Sequence, residues 1–250
     1  MSSTPFSLNG KTVLITGASS GIGRATAIEC ASMGASCCVL VARNESTLQE
    51  TASLMDPECE VVTIVCDITD SQSLDEMVKS LPKLDGVVSN AGINKMQLVP
   101  YYNEGDIEKI FSVNCFSPML LIKQLVKRKK LKNPSTVVFT ASISGHSNVS
   151  PANGVYGASK SALSAYMKYA ALELAPKGIR CNAVHPGRVE TSLIHAVTDE
   201  DAIKEDLRKY PLGRYAYPKE IAWSIIYLLS DAASWITGSD LVIDGGRSLI

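Results

Sequence analysis

The chain has 250 residues, of which 24 are Lys or Arg and 25 are Asp or Glu, so its formal net charge is -1. This balance offers no basic surplus for nucleic acid or an anionic membrane, and we expect neither as a partner. No segment has the length of an apolar membrane span, and residues 1–5 lack the basic and apolar regions of a secretory signal. The sequence therefore predicts a cytoplasmic protein.

The cysteines and histidines indicate neither a disulfide framework nor a metal site. Seven cysteines are an odd number, none is spaced C-x-x-C, and most fall within apolar segments, so we expect buried, reduced thiols. The three histidines, His146, His185 and His195, are scattered without the paired spacing of metal ligands. We therefore predict no bound metal.

The first apolar run leads into a glycine-rich loop. Residues 11–16 predict a strand, the loop spans residues 17–23, and a helical pattern follows over residues 24–33. Glycines let the backbone approach a pyrophosphate closely, and a helix N-terminus directs its N–H groups and positive dipole end at the anion. A generic helix-start turn uses similar residues, but the order strand, loop, helix favours a dinucleotide site. Its predicted contacts are Gly17, Ser19, Ser20, Gly21, Ile22 and Gly23.

The second predicted strand covers residues 36–41 and is followed by Ala42 and Arg43. In dinucleotide folds an acidic residue at this point holds the ribose hydroxyls of NAD, whereas a nearby Arg accommodates the 2′-phosphate of NADP. Arg43 beside Ala42 therefore favours NADP(H) over NAD(H). The alternative is a solvated Arg that opens the following helix.

Further apolar runs predict strands at residues 60–66, 85–89, 136–140, 179–184 and 240–243. Helical patterns separate them at residues 45–55, 71–80, 107–129 and 221–229, with another helix near Tyr156. This alternation predicts βαβ units and a parallel sheet covered on both faces. Ligands of such sheets bind beyond the carboxyl ends of the strands. The residues at those ends include Asp67, Ile68, Asn90, Ala91, Gly92, Pro186 and Gly187.

Asn114 is a polar residue inside the apolar pattern of residues 107–129. A buried Asn must be hydrogen-bonded, and Pro118 predicts a helix kink close after it. Both features also have a purely structural explanation.

Tyr156 and Lys160 are four residues apart at the start of an apolar helical run and so share a helix face. A free tyrosine is a poor base at neutral pH, but a cation held beside it favours the phenolate, and we expect Lys160 to lower its pKa. Taken alone, the pair also fits an ordinary helix face. Ser142 follows the strand at 136–140, where a substrate would lie.

Together these segments resemble the short-chain dehydrogenase/reductase family over nearly the whole chain. The resemblance implies one domain, residues 1–250, with a doubly wound Rossmann fold and a seven-stranded parallel sheet in the order 3-2-1-4-5-6-7. It also implies a catalytic tetrad of Asn114, Ser142, Tyr156 and Lys160. Residues 211–246 most resemble 3-oxoacyl-acyl-carrier-protein reductases. The motifs are Thr16 to Gly23 (T-G-x-x-x-G-x-G), Asn90-Ala91-Gly92, Asn114, Ser142, Tyr156 to Lys160, and Pro186-Gly187.

The resemblance implies a carbonyl reductase or alcohol dehydrogenase in which Tyr156 is the general acid and base. Ser142 would bind the substrate oxygen, Lys160 would hold the nicotinamide ribose, and Asn114 would position a relay water. Tyr156 and Lys160, together with Pro186, Gly187, Val189 and Thr191, would complete the cofactor contacts. A small-molecule carbonyl or alcohol is the implied substrate, including one linked to acyl carrier protein, and the implied assembly is a homotetramer.

Alternatives to this interpretation stay open. Many NADP-using relatives carry Lys or Arg before Gly21, where this chain has Ser20, so Arg43 is the main argument for NADP(H). An NAD-dependent alcohol, sugar or steroid dehydrogenase of the same family fits the tetrad equally well. A nucleotide-sensing protein or an epimerase with the same fold fits less well, because the tetrad is complete and the chain leaves no room for a C-terminal substrate domain.

Overall fold

The computed structural model describes residues 4–190 and 200–250. Its strands are β1 (Thr12–Thr16), β2 (Cys37–Ala42), β3 (Glu60–Val65), β4 (Leu84–Ser89), β5 (Leu131–Thr140), β6 (Ile179–Pro186) and β7 (Asp240–Ile243). They form one parallel sheet in the order β3-β2-β1-β4-β5-β6-β7. This topology confirms the predicted doubly wound α/β fold and its strand order.

The helices alternate with the strands. They are α1 (Gly21–Ser32), α2 (Glu45–Ser53), α3 (Ser71–Ser80), α4 (Glu104–Phe111), α5 (Ser117–Lys127), α6 (Gly154–Leu174), α7 (Glu200–Leu207) and α8 (Pro218–Leu229). Short 3-10 turns lie at Val99–Tyr101, Ala175–Lys177, Asp231–Ala233 and Arg247–Leu249. Most predicted boundaries are close to the observed ones, although β5 begins five residues earlier than the pattern at 136–140 indicated.

The single kinked helix predicted over residues 107–129 is wrong in one respect. The chain leaves α geometry before Pro118, in a π-helical turn at Ser112–Phe116 that separates α4 from α5. The Ser117 hydroxyl donates to the carbonyl of Ser112 at 2.7 Å and satisfies one of the groups that the wider turn leaves open. Pro118 then lies in the first turn of α5, where its missing N–H costs nothing. The turn carries Asn114.

The sheet has an apolar core on each face, which is why its strands read as continuous apolar runs. On one face, α3, α5 and α6 pack on the strands, as Met77, Leu121 and Leu163 illustrate. On the other face, α1, α2 and α8 pack on the strands through residues such as Ala27 and Ile225. The two cores hold the carboxyl ends of β1, β4, β5 and β6 in fixed positions.

All seven cysteines are free and buried, as the sequence predicts. Burial raises the pKa of Cys37 and of Cys66 to about 11, so both thiols stay protonated at neutral pH. These side chains behave as small apolar residues of the core.

The longest helix, α6, has 21 residues but carries Lys160, Lys168 and Glu173. Within residues 4–190 and 200–250, no helix is long and apolar enough to cross a membrane. The apolar residues of α6 largely pack into the core, where Leu163 and Met167 are fully buried.

Candidate active site

A cleft of about 500 Å³ opens at the carboxyl edge of the sheet. It lies where the strand order reverses between β1 and β4, the position at which open α/β sheets bind ligands. Of the predicted site residues, Gly23 and Asn114 do not line the cleft, and Thr191 lies outside the described residues. Those that line it are Gly17, Ser19, Ser20, Gly21, Ile22, Arg43, Asp67, Ile68, Asn90, Ala91, Gly92, Ser142, Tyr156, Lys160, Pro186, Gly187 and Val189.

The glycine loop between β1 and α1 leaves no space for a side chain at Gly17, and Gly23 in the following helix is equally crowded. Gly17 and Gly21 adopt positive φ angles of 66° and 52°, which L residues rarely adopt. A Cβ on Gly17 would lie 2.9 Å from the Cα of Ala91, and one on Gly23 would lie 2.1 Å from the carbonyl oxygen of Gly17. Gly23 is therefore a packing residue behind the loop, and its predicted role as a direct cofactor contact is not supported by its position.

The N-terminus of α1 differs from those of the neighbouring helices. Asn44, Asp70 and Asn103 cap α2, α3 and α4 by accepting backbone hydrogen bonds through their side chains. At α1 the N-cap residue Ser20 makes no such bond, and the first turn has no acidic residue. The free N–H groups and the positive end of the helix dipole therefore point into the cleft without a protein anion to satisfy them. This arrangement fits a pyrophosphate.

Thr16 joins the ends of β1 and β4 below the cleft. Its hydroxyl oxygen accepts hydrogen bonds from the backbone N–H groups of Asn90 at 3.0 Å and Ala91 at 3.1 Å. The Asn90 amide in turn donates to the carbonyl of Thr16 at 3.2 Å. These bonds fix the Asn90 to Gly92 turn against the glycine loop.

Arg43 stands exposed at the far end of the cleft, directly after β2. Across from it, the hydroxyl and backbone N–H of Thr69 bind the carboxylate of Asp67 and lower its pKa, and the charge of Arg43 contributes further. The other arginine near the loop, Arg24, is already committed to Glu50 and the carbonyl of Ser19. Arg43 is thus the cation placed to meet an anionic ligand at this end.

Asn114 uses its side chain within the protein. Its amide oxygen accepts from the backbone N–H of Ile93 at 2.8 Å, and its amide nitrogen donates to the carbonyl of Ile93 at 2.9 Å and to the Ser159 hydroxyl at 3.0 Å. The side chain is fully buried. Asn114 therefore holds the start of the segment that follows Gly92, and the relay water assigned to it stays a prediction.

Tyr156 and Ser142 face each other in the cleft, Tyr156 from α6 and Ser142 from the end of β5. Burial raises the pKa of Tyr156, and its hydrogen bond with Ser142 acts in the opposite direction. The expectation that Lys160 lowers the pKa of this phenol is wrong in this structure, because burial dominates and the ammonium lies 6.0 Å from the ring centroid. The phenol therefore holds its proton at neutral pH.

Lys160 is buried beneath the cleft, with 4% of its surface exposed. Its ammonium donates to the carbonyl oxygen of Thr140 at 2.7 Å, and among the described residues no carboxylate pairs with it. Burial lowers the pKa of Lys160 to about 8. A cation with this little compensation is poised to bind a polar group that enters the cleft.

One group beside the site was missed at the sequence level. His185, near the end of β6, lies 2.8 Å from the carbonyl oxygen of Ser142 and 2.8 Å from the carboxylate of Asp240. The ring of His146 lies 4.2 Å away, centroid to centroid. Sequence spacing gives no signal for this cluster, because its members come from three separate elements.

Comparisons with known proteins agree with this geometry. A family model described as enoyl-(acyl carrier protein) reductase matches residues 17–248. The chain is 33% identical to a 3-oxoacyl-[acyl-carrier-protein] reductase of Rickettsia bellii, covering 97% of this chain and 99% of that protein. It is also 33% identical to the 2,3-dihydro-2,3-dihydroxybenzoate dehydrogenase of Escherichia coli, covering 96% and 98%. RhlG of Pseudomonas aeruginosa, solved as an active-site complex with NADP, is a structural neighbour with a TM-score of 0.91 at 29% identity, covering 97% and 98%.

Sequence, topology and cleft therefore lead to the same assignment. The match extends over almost the full length of this chain and of these two relatives. The observed strand order is the one that the resemblance implied, and seventeen of the predicted site residues line the cleft. The chain belongs to the short-chain dehydrogenase/reductase family of oxidoreductases.

Proposed function

We propose that this protein is an NADP(H)-dependent oxidoreductase that interconverts a carbonyl group and a secondary alcohol, with Tyr156 as general acid and base. The observation that supports it best is the convergence of Tyr156, Ser142 and Lys160 on the cleft that also contains the glycine loop. One domain, residues 1–250, would supply both the cofactor site and the catalytic groups.

The chemistry follows from the positions of these side chains. When bound, the nicotinamide would donate hydride to the carbonyl carbon or accept it from the alcohol. Tyr156, whose pKa is raised, keeps its proton at neutral pH and donates it to the substrate oxygen during reduction. The Ser142 hydroxyl binds the same oxygen, where negative charge develops. The Lys160 ammonium would bind the nicotinamide ribose, and Asn114 keeps the neighbouring Ile93 segment in place.

We infer a 3-oxoacyl thioester, including one linked to acyl carrier protein, as the first substrate class to test. The relative from Rickettsia bellii is such a reductase, and the segment that leaves the cleft after β4 carries exposed apolar side chains between the polar residues Lys95 and Gln97 and beyond them. Asn94 lines the cleft, and the side chains that follow along that segment, Met96, Leu98, Val99 and Tyr101, are between 51% and 74% exposed. An acyl chain is the substrate part that such side chains would contact.

The preference for NADP(H) depends on Arg43. A 2′-phosphate carries close to two negative charges, and an exposed guanidinium at the end of β2 can meet it with a charge-assisted contact. Ala42 places no carboxylate there to repel the phosphate. The NADP complex of the structural neighbour supports this choice by analogy.

The decisive experiment compares wild type with Tyr156→Phe, using NADPH or NADH with a 3-oxoacyl thioester and with an enoyl thioester of equal length. We expect reduction of the 3-oxo group alone, and a loss of at least about 100-fold in kcat for Tyr156→Phe with NADPH affinity unchanged. Tyr169→Phe, on the exposed side of the same helix, is the matched control. A nucleotide-sensing protein would bind NADPH but turn over neither substrate, and an enoyl reductase would consume only the second.

Cofactor choice is tested separately with Arg43→Ala and Ala42→Asp. Losing one charged hydrogen bond costs roughly 1.5 to 3 kcal/mol, so Arg43→Ala should weaken NADPH about ten- to a hundred-fold and leave NADH nearly unchanged. Ala42→Asp should shift the preference toward NADH. A wild type that prefers NADH, as the NAD-dependent alternative requires, would contradict the NADP(H) assignment and leave the dehydrogenase assignment intact.

We further propose a homotetramer, although fewer apolar side chains are exposed on these helices than the sequence pattern suggested. The apolar run at residues 223–229 turns mostly inward, because Ile225, Ile226, Leu228 and Leu229 are buried in the core. The apolar side chains left outside on α6 and α8 are Tyr169, Leu172 and Trp223. A two-fold contact between such helices would cover them, and sedimentation at micromolar concentration tests the assembly.

We also propose a cytoplasmic location. The seven reduced, buried cysteines fit a reducing compartment. Cell fractionation with a tagged chain tests this directly, and recovery in a membrane or secreted fraction would contradict it.

A further inference from the structure

His185 is fully buried at the end of β6, and both of its ring nitrogens have a partner. Nδ1 lies 2.8 Å from the carbonyl oxygen of Ser142, and Nε2 lies 2.8 Å from Oδ1 of Asp240. A carbonyl oxygen only accepts hydrogen bonds, so Nδ1 must carry a proton.

The second ring nitrogen, Nε2, also faces an acceptor. Asp240 accepts hydrogen bonds from the Ser164 hydroxyl at 2.7 Å and from the Lys168 ammonium at 2.9 Å. Burial raises the pKa of this carboxyl group, but the bonds from Lys168, Ser164 and His185 outweigh it and leave the pKa below its usual range. Two donors already bind Asp240 as an acceptor, and we infer from this geometry that Nε2 of His185 also donates to it, so that both ring nitrogens carry a proton.

The bond to Ser142 adds a link between the ends of β5 and β6, beside a backbone bond that cannot form. At this end of the sheet, Ala141 N–H donates to the carbonyl of Val184 and Ile143 N–H donates to that of Pro186. Pro186 has no N–H with which to donate back to the β5 segment. The ring of His185 supplies a donor from β6 instead, and it reaches the residue whose hydroxyl faces Tyr156.

We propose that His185, oriented by Asp240, is a positioning residue that fixes the Ser142 hydroxyl for the substrate oxygen. The proposal rests on the function proposed above, in which Ser142 binds that oxygen. His185 touches neither reactant in this scheme and acts through the backbone of Ser142. A displacement of Ser142 by about 1 Å is enough to slow such a reaction by about 100-fold, while leaving a distant cofactor site unchanged.

Two substitutions separate the two ring contacts. The amide nitrogen of Asn occupies the place of Nδ1 and can still donate to the Ser142 carbonyl, whereas that of Gln occupies the place of Nε2 and can reach only Asp240. We expect His185→Asn to retain kcat within about three-fold and His185→Gln to lose about ten- to a hundred-fold, with the KM for NADPH unchanged in both. His146→Asn, the exposed neighbour, is the control and should match wild type.

The charge on the ring is measured independently of turnover. Long-range proton–nitrogen spectra of protein labelled in its histidine rings should show His185 with both nitrogens protonated, and Asp240→Asn should remove one of these protons. Equal loss in the Asn and Gln variants, full activity in His185→Gln, or a neutral ring would each overturn the proposal. If wild type reduces no carbonyl at all, the proposed function fails, and the spectra still decide whether His185 is the cation that holds Ser142.

Discussion

Lys160 and His185 are both buried at the carboxyl edge of the sheet, and their partners differ in kind. Lys160 has 4% of its surface exposed, and within residues 4–190 and 200–250 its ammonium donates to the carbonyl of Thr140 and pairs with no carboxylate. His185 is fully buried but pairs with the carboxylate of Asp240, which Lys168 and Ser164 also bind. The His185 ring is therefore part of the framework, whereas the ammonium of Lys160 keeps its charge available to the cleft.

The missing counter-ion at Lys160 is expected to lower the stability of the fold, whereas the pairing at Asp240 is not. Burying a charge without a counter-ion destabilises a fold, and such groups persist mainly where chemistry uses them. Burial lowers the pKa of Lys160 to about 8. Asp240, by contrast, is held ionised by its three donors. Substitutions at the two sites should therefore change activity and stability in different proportions.

The largest expected effect is on turnover when the uncompensated cation is removed. Lys160→Met should lower kcat about 1000-fold, equivalent to about 4 kcal/mol of transition-state stabilisation, and should also weaken NADPH binding. Steady-state kinetics and cofactor titration measure both quantities. Lys168→Met, two turns later on the same helix, is the matched control, and similar losses in the two variants would contradict the contrast.

Removing the compensating carboxylate should act on stability. On the proposal above, Asp240→Asn removes the counter-ion of a charged His185 ring and should lower the free energy of unfolding by about 3 kcal/mol, measured by urea denaturation. Asp231→Asn, whose partner Lys11 forms an exposed ion pair, should cost less than about 1 kcal/mol. An Asp240→Asn variant as stable as wild type would show that His185 is not charged.

The third effect is a pH dependence assigned to Lys160. Its pKa falls from 10.5 in the unfolded chain to about 8 in the folded protein. Below about pH 8 the folded protein therefore contains a buried charge, which lowers the free energy of unfolding. That cost disappears as the pH rises from about 8 to 10.5, so wild type should gain about 3 kcal/mol relative to Lys160→Met over this interval.

Measuring the difference between the two proteins removes the contribution of every other titrating group. The comparison needs urea denaturation of both proteins at neutral pH and near pH 10.5. A constant difference over that interval would mean that Lys160 is not buried in its charged form.

The smallest effect is expected at Lys168, the exposed residue that pairs with Asp240. Lys168 is 57% exposed in its pair with Asp240, so Lys168→Met should cost less than about 1 kcal/mol of stability and leave kcat unchanged. Thermal unfolding measures the change. A loss as large as that expected for Asp240→Asn would show that Lys168 is the essential partner of the carboxylate.

The sequence predicted well those features that recur at short range. The glycine loop, the alternation of strands and helices, and the residues at strand ends are local patterns, and they placed seventeen of the predicted residues in one cleft. The strand order came from the family resemblance, and the structure confirms it. Burial on both faces of the sheet is what makes these strands readable as apolar runs.

The features that the sequence did not predict depend on burial or on distant partners. Lys160 was expected to lower the pKa of Tyr156, but burial of the phenol raises it. A sequence motif shows the nearby charge but not how deeply the phenol is buried. The π-helical turn at Asn114 changes backbone geometry and has no side-chain signature of its own. The pair of His185 and Asp240 joins residues 55 positions apart through the alignment of β6 with β7.

The rate at which the buried thiols react can also report how often the folded protein opens. Each of the seven cysteines is buried, with at most 8% of its surface exposed, so an alkylating reagent has little access to any thiol in the folded molecule. We therefore expect labelling to proceed mainly through local or global opening, and its rate at each cysteine reports how often that part of the chain opens. Cys66 lines the cleft, whereas Cys181 lies inside β6, so mass spectrometry of the labelled chain would separate motions of the site from unfolding of the sheet.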